Sequence, residues 1–165
     1  MPRKKRDGER ELQPAKSYML WLLSRREYSA KQLRSRLKVK GYPEEAIEEA
    51  LALMQSYNLQ SDERFAEMSV RSASPRMGDR GMKATLKENG IDQEVAETHL
   101  ANLEPEVERV RTLAQRFEGK PLDEKLKAKV WRYLAYRGFS AASIKAALKH
   151  LSDQAGGTVS FEDDF

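Results

Sequence analysis

Three times along the chain the same five apolar positions recur around a glycine, and this spacing constrains the fold more than any other feature. The set reads Leu33, Leu37, Gly41-Tyr42, Ile47, Leu51, then Met82, Leu86, Gly90-Ile91, Ala96, Leu100, then Val130, Leu134, Gly138-Phe139, Ile144, Leu148. It returns after 49 and then 48 residues, with internal offsets of 4, 8, 9, 14 and 18 each time. Repeats of this length mark modules that stack because none buries its apolar face alone. A lone unit of this size would be marginal, since a small domain buries only about 60% of its unfolded surface. The expected fold is therefore all-α: a tandem array of three three-helix, helix-turn-helix-like repeats, elongated and curved.

The offsets place each glycine where a left-handed residue ends one helix and the next begins. Ser29 is a suitable cap for the second helix, and Pro43 suits the opening of the third, where a missing N–H costs nothing. Asp92 and Ser140 hold the equivalent start positions in the later repeats. A first helix is expected from Ser17 to Glu27, with Met19, Leu22 and Leu23 on one face. Trp21, Phe65 and Phe139 are expected in the core. The segment Ser61-Asp62-Glu63-Arg64-Phe65 reads as a capped helix start, the helix ending before Pro75. The turn-rich stretch 74–81 leads into a helix from about Asp79. Residues 1–14 are expected to be a disordered basic arm and 152–165 a disordered acidic tail, leaving repeats at 15–58, 59–104 and 105–151.

There is no cysteine in the 165 residues, so no disulfide or thiolate metal site can staple the modules. The longest apolar run, Tyr18 to Leu23, is too short to span a bilayer or form a signal core, so a soluble cytoplasmic protein without a membrane role is expected. His99 and His150 have no carboxylate or second histidine at ligand spacing, and no metal or other cofactor is expected. Gly78-Asp-Arg-Gly81-Met-Lys83 lacks the spacing and the preceding strand of a phosphate loop. No residue pattern argues for an enzyme.

Charge is segregated: the repeats carry +3, −3 and +6, followed by a tail of −4. Such segregation favours a polyanionic or mixed partner. A DNA-reading helix-turn-helix would present its second helix to phosphates, but those helices open with Glu44, Glu45, Glu48 and Glu49, or with Asp92, Glu94 and Glu97. The positive charge lies on the preceding helix instead. Lys31, Arg34, Arg36, Lys38 and Lys40 supply it in the first repeat, with Lys31, Arg34 and Lys38 on one face. Lys125, Lys127, Lys129, Arg132 and Arg137 supply it in the third. Trp131 and Tyr133 fall where other repeats hold polar residues, either as interface anchors and stacking platforms or packed near Leu113 and Phe117.

Three segments, Leu22-Leu23-Ser-Arg25-Arg26-Glu-Tyr-Ser29-Ala-Lys-Gln-Leu33, Asp62-Glu-Arg64-Phe65-Ala66 and Tyr136-Arg137-Gly138-Phe139-Ser140, occur in order within these repeats. On them the chain resembles the RecX family of recombination regulators over residues 15–151. It departs at Ser61, where the first of two adjacent aspartates is expected. The resemblance implies a protein that lodges in the groove of the filament RecA recombinase forms on single-stranded DNA. There it would reduce ATPase, strand-exchange and coprotease activity, in recombination, DNA repair and the SOS response. From the placement of charge and aromatics, the expected filament or DNA contacts are Arg25, Arg26, Lys31, Arg34, Lys38 and Lys40 in the first repeat, and Lys125, Lys127, Lys129, Trp131, Arg132 and Arg137 in the third. A monomer is expected. The alternative is a direct DNA-binding protein that competes for single-stranded DNA.

Overall fold

The computed structural model describes residues 4–156, with side chains from Leu12 onward. Among these residues there are nine α-helices, one 3-10 turn and no strand. The helices are α1 (Lys4–Leu23), α2 (Ala30–Val39), α3 (Glu44–Ser56), α4 (Asp62–Ala73), α5 (Asp79–Glu88), α6 (Gln93–Ala101), α7 (Glu106–Ala114), α8 (Glu124–Tyr136) and α9 (Ala141–Gln154), with the 3-10 turn Gln115–Phe117 after α7. No helix among the described residues is long and apolar enough to cross a membrane.

Every apolar position of the repeat except Tyr42 is buried. Leu33 and Leu37 of α2 meet Ala15, Met19 and Leu22 of α1 and Ile47, Leu51 and Met54 of α3 in one core. Val130 and Leu134 of α8 meet Val110 and Ala114 of α7 and Ile144, Ala147, Leu148 and Leu151 of α9 in another. Each fully buried leucine of these stripes contributes about 1.5–3 kcal/mol by leaving water. At all three repeat glycines φ is positive, and the next residue's N–H closes back onto the helix: Tyr42 to Leu37 at 3.2 Å, Ile91 to Leu86 at 3.0 Å, Phe139 to Leu134 at 3.2 Å. This 6→1 bond satisfies a carbonyl that the helix end would otherwise leave open.

The chain divides into two compact units, Met1–Met68 with Leu86–Ala96, and Ser69–Thr85 with Glu97–Phe165. The middle repeat is thus shared out between them, and the local bonding shows why. In the first unit Asp62 Oδ1, at the start of α4, accepts the N–H of Ala30, first residue of α2, at 2.8 Å. Gln60 donates to the same oxygen at 2.9 Å and to the Tyr28 carbonyl at 3.2 Å, while Arg64 reaches Glu27 at 2.9 Å. In the second unit Glu106 Oε1, at the start of α7, accepts the N–H of Asp79, first residue of α5, at 2.9 Å. Buried Arg109 donates to the carbonyls of Glu104, Ser74 and Met77 and pairs with Asp79. Ala30 and Asp79 hold equivalent repeat positions, so one device recurs. A carboxylate opening the second and the third repeat satisfies an orphan N–H on the second helix of the repeat before.

Several expectations are corrected. The first helix begins at Lys4 rather than Ser17, which lies inside it, and Pro14 is accommodated within the helix. Leu12 and Ala15 pack on the first core and hold this stretch helical at the cost of the hydrogen bond that Pro14 cannot donate. Pro43 sits one position before α3 rather than as its first helical residue, with extended ψ of 147°, and Pro105 holds the same place before α7 with ψ of 140°. At the other end α9 runs past Leu151, burying Ser152, to Gln154. Residues 1–3 of the proposed arm and 157–165 of the proposed tail, including Glu162, Asp163 and Asp164, lie outside the described residues. Phe65 and Phe139 are buried as expected, but Trp21 is 49% exposed.

Candidate functional site

Two cationic surfaces are built, one on each unit. In the first unit, Ser29 caps α2 by accepting from the Gln32 N–H at 3.1 Å, while Gln32 Oε1 accepts from the Ser29 N–H at 3.3 Å. The Gln32 amide also donates to Asn89 Oδ1 at 2.8 Å, and Lys31 Nζ donates to the Glu88 carbonyl at 2.7 Å. These bonds join α2 to the end of α5. Beside them lies an open groove of about 500 Å³, lined among others by Tyr18, Lys31, Gln32, Arg36, Val39 and Lys40.

The cations of this unit then separate by what they touch. Arg34 forms a two-bond pair with Glu48, Nε to Oε1 at 2.6 Å and Nη2 to Oε2 at 3.2 Å. That bonding raises the Arg34 pKa and holds the Glu48 carboxyl below its ordinary value, against the opposing effect of partial burial on each. Lys31 and Arg34 are therefore engaged within the unit, and Lys38 is exposed. Arg26 and Arg36 both lie over the buried Tyr28 ring, at 4.3 and 5.2 Å from its centroid.

Arg25 lies over the Trp21 ring at 4.3 Å, and Lys40 over Tyr18 at 5.4 Å. Tyr18 is stacked with Trp21 (centroids 5.9 Å, planes 15° apart) and with Tyr42 (6.3 Å, 28°). The result is a row of three near-parallel rings edged by cations. Helical spacing offered a signal for it: Ala15, Met19 and Leu22 form the buried stripe of α1, and Trp21 stands roughly 100° from Leu22, on the side of Tyr18 and Arg25.

On the second unit, Asp123 caps α8 through the Leu126 N–H at 2.7 Å. Lys125, Lys129, Arg132 and Tyr136 are all exposed and follow one another at spacings of 4, 3 and 4 residues, one stripe of the helix. Tyr136, absent from the sequence-derived set, is 94% exposed. Lys127 instead pairs with Glu124 at 2.8 Å. Trp131 is exposed but stands roughly 120° from the stripe around the helix. Tyr133 packs edge-on against Phe117 at 5.6 Å, as the packing alternative for it required. Arg137 is drawn inward: its guanidinium lies 4.5 Å from the Tyr133 centroid and Nη1 donates to the Arg76 carbonyl at 3.1 Å. No cluster among the described residues has the composition of a metal site.

These features define a class: an all-α protein of tandem three-helix repeats that offers cationic, aromatic-edged surfaces. Comparison with known proteins makes the class specific. The first, second and third three-helix domains of RecX match residues 15–52, 61–100 and 104–148. Regulatory protein RecX of Neisseria meningitidis serogroup A is 37% identical over 134 residues, covering 81% of this chain and 88% of that protein. Regulatory protein RecX of Syntrophotalea carbinolica is 39% identical over 137 residues, covering 78% and 90%. The crystal structure of RecX from Lactobacillus salivarius superposes with a TM-score of 0.72 at 24% identity, covering 87% of this chain and 98% of that one. The chain belongs to the RecX family of regulatory proteins.

Proposed function

We propose that this chain, acting as a monomer, binds the filament formed by RecA recombinase on single-stranded DNA, in the filament groove, and restrains its ATPase, strand-exchange and coprotease activities. Family membership supports the partner. The observation that carries the mode of binding is that exposed cations occur on both compact units: Lys38, Arg25 and Lys40 on the first, and Lys125, Lys129 and Arg132 on the second. Two weak contacts on one chain gain from effective concentration when the target repeats, as a filament does. A chain attached at two points to neighbouring subunits opposes the subunit motions of an ATPase cycle.

Cosedimentation with RecA filaments on single-stranded DNA, repeated without RecA, tests this. The expected result is clearly tighter retention by filament than by bare DNA at moderate salt, where phosphate contacts alone weaken steeply. Replacing Lys125, Lys129 and Arg132 together by glutamate should relieve inhibition of the filament ATPase. Equal retention with and without RecA would favour the alternative, competition for single-stranded DNA.

A further inference from the structure

In the row Trp21–Tyr18–Tyr42 only Tyr42 belongs to the apolar repeat, where it is the one position that is not buried; Tyr18 and Trp21 belong to neither the repeat nor the charge pattern. Tyr18 and Tyr42 are partly buried against the first core, which fixes their planes, whereas Trp21 leaves half its surface in water. An indole offers a large apolar surface, yet Trp21 stays exposed while Leu22, one residue on, is buried. Two contacts hold its exposed position: Tyr18 stacks at 5.9 Å, and the exposed Arg25 guanidinium lies 4.3 Å from the ring centroid.

The geometry points to Trp21 as a stacking platform for an unpaired nucleobase, with Arg25 and Lys40 receiving the flanking phosphates. Every base has a π-face, so an aromatic ring beside cations binds single strands with little regard to sequence. Duplex DNA hides those faces within its own stack. Arg25 also fits the role on its own account, since a guanidinium stacks on a base as well as on an indole. Tyr18 of the ring row also lines the groove to which Lys31, Arg36 and Lys40 contribute, so cations adjoin the row there. A protein carboxylate would be drawn to the same cations but has no use for three near-parallel rings. This inference rests on the proposed function only for the source of the strand; it assigns the DNA contact to the first unit.

The test measures binding of the full chain to an oligothymidylate and to an abasic oligomer with the same number of phosphates, at low salt. Trp21→Ala is expected to weaken oligothymidylate binding by about 5- to 150-fold and to leave abasic binding unchanged, with Trp21→Phe close to the unsubstituted chain. The chain has two tryptophans, so in Trp131→Phe the emission comes from Trp21 alone. That emission should be quenched by oligothymidylate and not by the abasic oligomer. Equal affinity for both oligomers, or no effect of Trp21→Ala, overturns the inference. So does a Trp21 signal that responds to RecA without DNA and not to the oligonucleotide, which would make the row a protein contact. Cosedimentation separates the two readings: failed stacking with filament binding intact sinks only the platform. Base-dependent quenching without preference for filament sinks only the filament reading.

Discussion

The amide of Gly78 donates to the carbonyl of Arg137 at 2.9 Å, which brings the loop before α5 onto the turn between α8 and α9 with no side chain between them. A Cβ on Gly78 would overlap the backbone of Gly138 and Phe139, one on Gly138 would overlap Gly81, and one on Gly81 would stand 2.7 Å from the Arg137 carbonyl. Gly78-Asp-Arg-Gly81, which resembles a phosphate loop only superficially, is the place where two backbones of the second unit cross.

Glycine substitutions should therefore divide by contact rather than by dihedral. Gly41 and Gly138 share positive φ values of 88° and 80°, but nothing lies within 4 Å of a Cβ at Gly41. Gly41→Ala is expected to cost about 1–2 kcal/mol of backbone strain. Gly138→Ala adds backbone displacement and is expected to cost roughly twice as much or more. Denaturant unfolding of both variants checks the order; equal losses would contradict the close crossing.

Glu106 makes the second unit acid-sensitive. Burial alone would push its carboxyl up, but hydrogen bonds from the Ser143 and Ser140 hydroxyls, at 2.6 and 2.7 Å, and from the Asp79 and Ser140 amides outweigh this and hold it below the ordinary value. A group depressed on folding stabilises above its unfolded pKa, about 4.3 for glutamate, and loses that contribution as pH falls through the folded value. Glu106→Gln should cost about 1–3 kcal/mol at pH 7, because its amide nitrogen cannot accept from the serines. Thermal melts should show the gap between the two proteins closing as pH is lowered below about 4.

The Arg34–Glu48 pair is half-exposed on both sides, at 50% and 47%. Despite its short bonds, a double-mutant cycle should return a coupling of about 1 kcal/mol or less, falling with added salt. A much larger coupling would mean that solvent screens this pair less than its exposure implies.

Cations on α8 should separate into binders and braces. Lys129→Glu and Tyr136→Ala, both on the exposed stripe, are expected to change stability by less than about 0.5 kcal/mol while weakening filament binding. Arg137→Ala should cost about 1–3 kcal/mol, since the Arg76 carbonyl and the Tyr133 ring lose their partner. Unfolding and cosedimentation run on the same preparations distinguish the two groups.

Periodicity was enough to identify the core of each repeat, the glycine turns and the caps at Ser29 and Ser140, because these depend on residues within about one helical turn of each other. It also sufficed to show that α2 and α8 are the basic helices. It does not place Trp21, whose aromatic character favours the core while its helical phase favours the surface, nor the start of α1, where Pro14 and a charged composition argue against a helix that Leu12 and Ala15 anchor.

By itself, then, the order of residues determined the three-fold all-α plan, since burial at fixed offsets admits few alternatives to amphipathic helices joined by glycine turns. Only the tertiary structure decided which cations remain available and how the middle repeat is divided. Lys31 is taken up by a carbonyl 57 positions away, Arg137 by one 61 away, and the Asp62 and Glu106 caps act across 32 and 27 positions. Such partners meet because helices pack at particular angles and depths, and no local spacing encodes those angles.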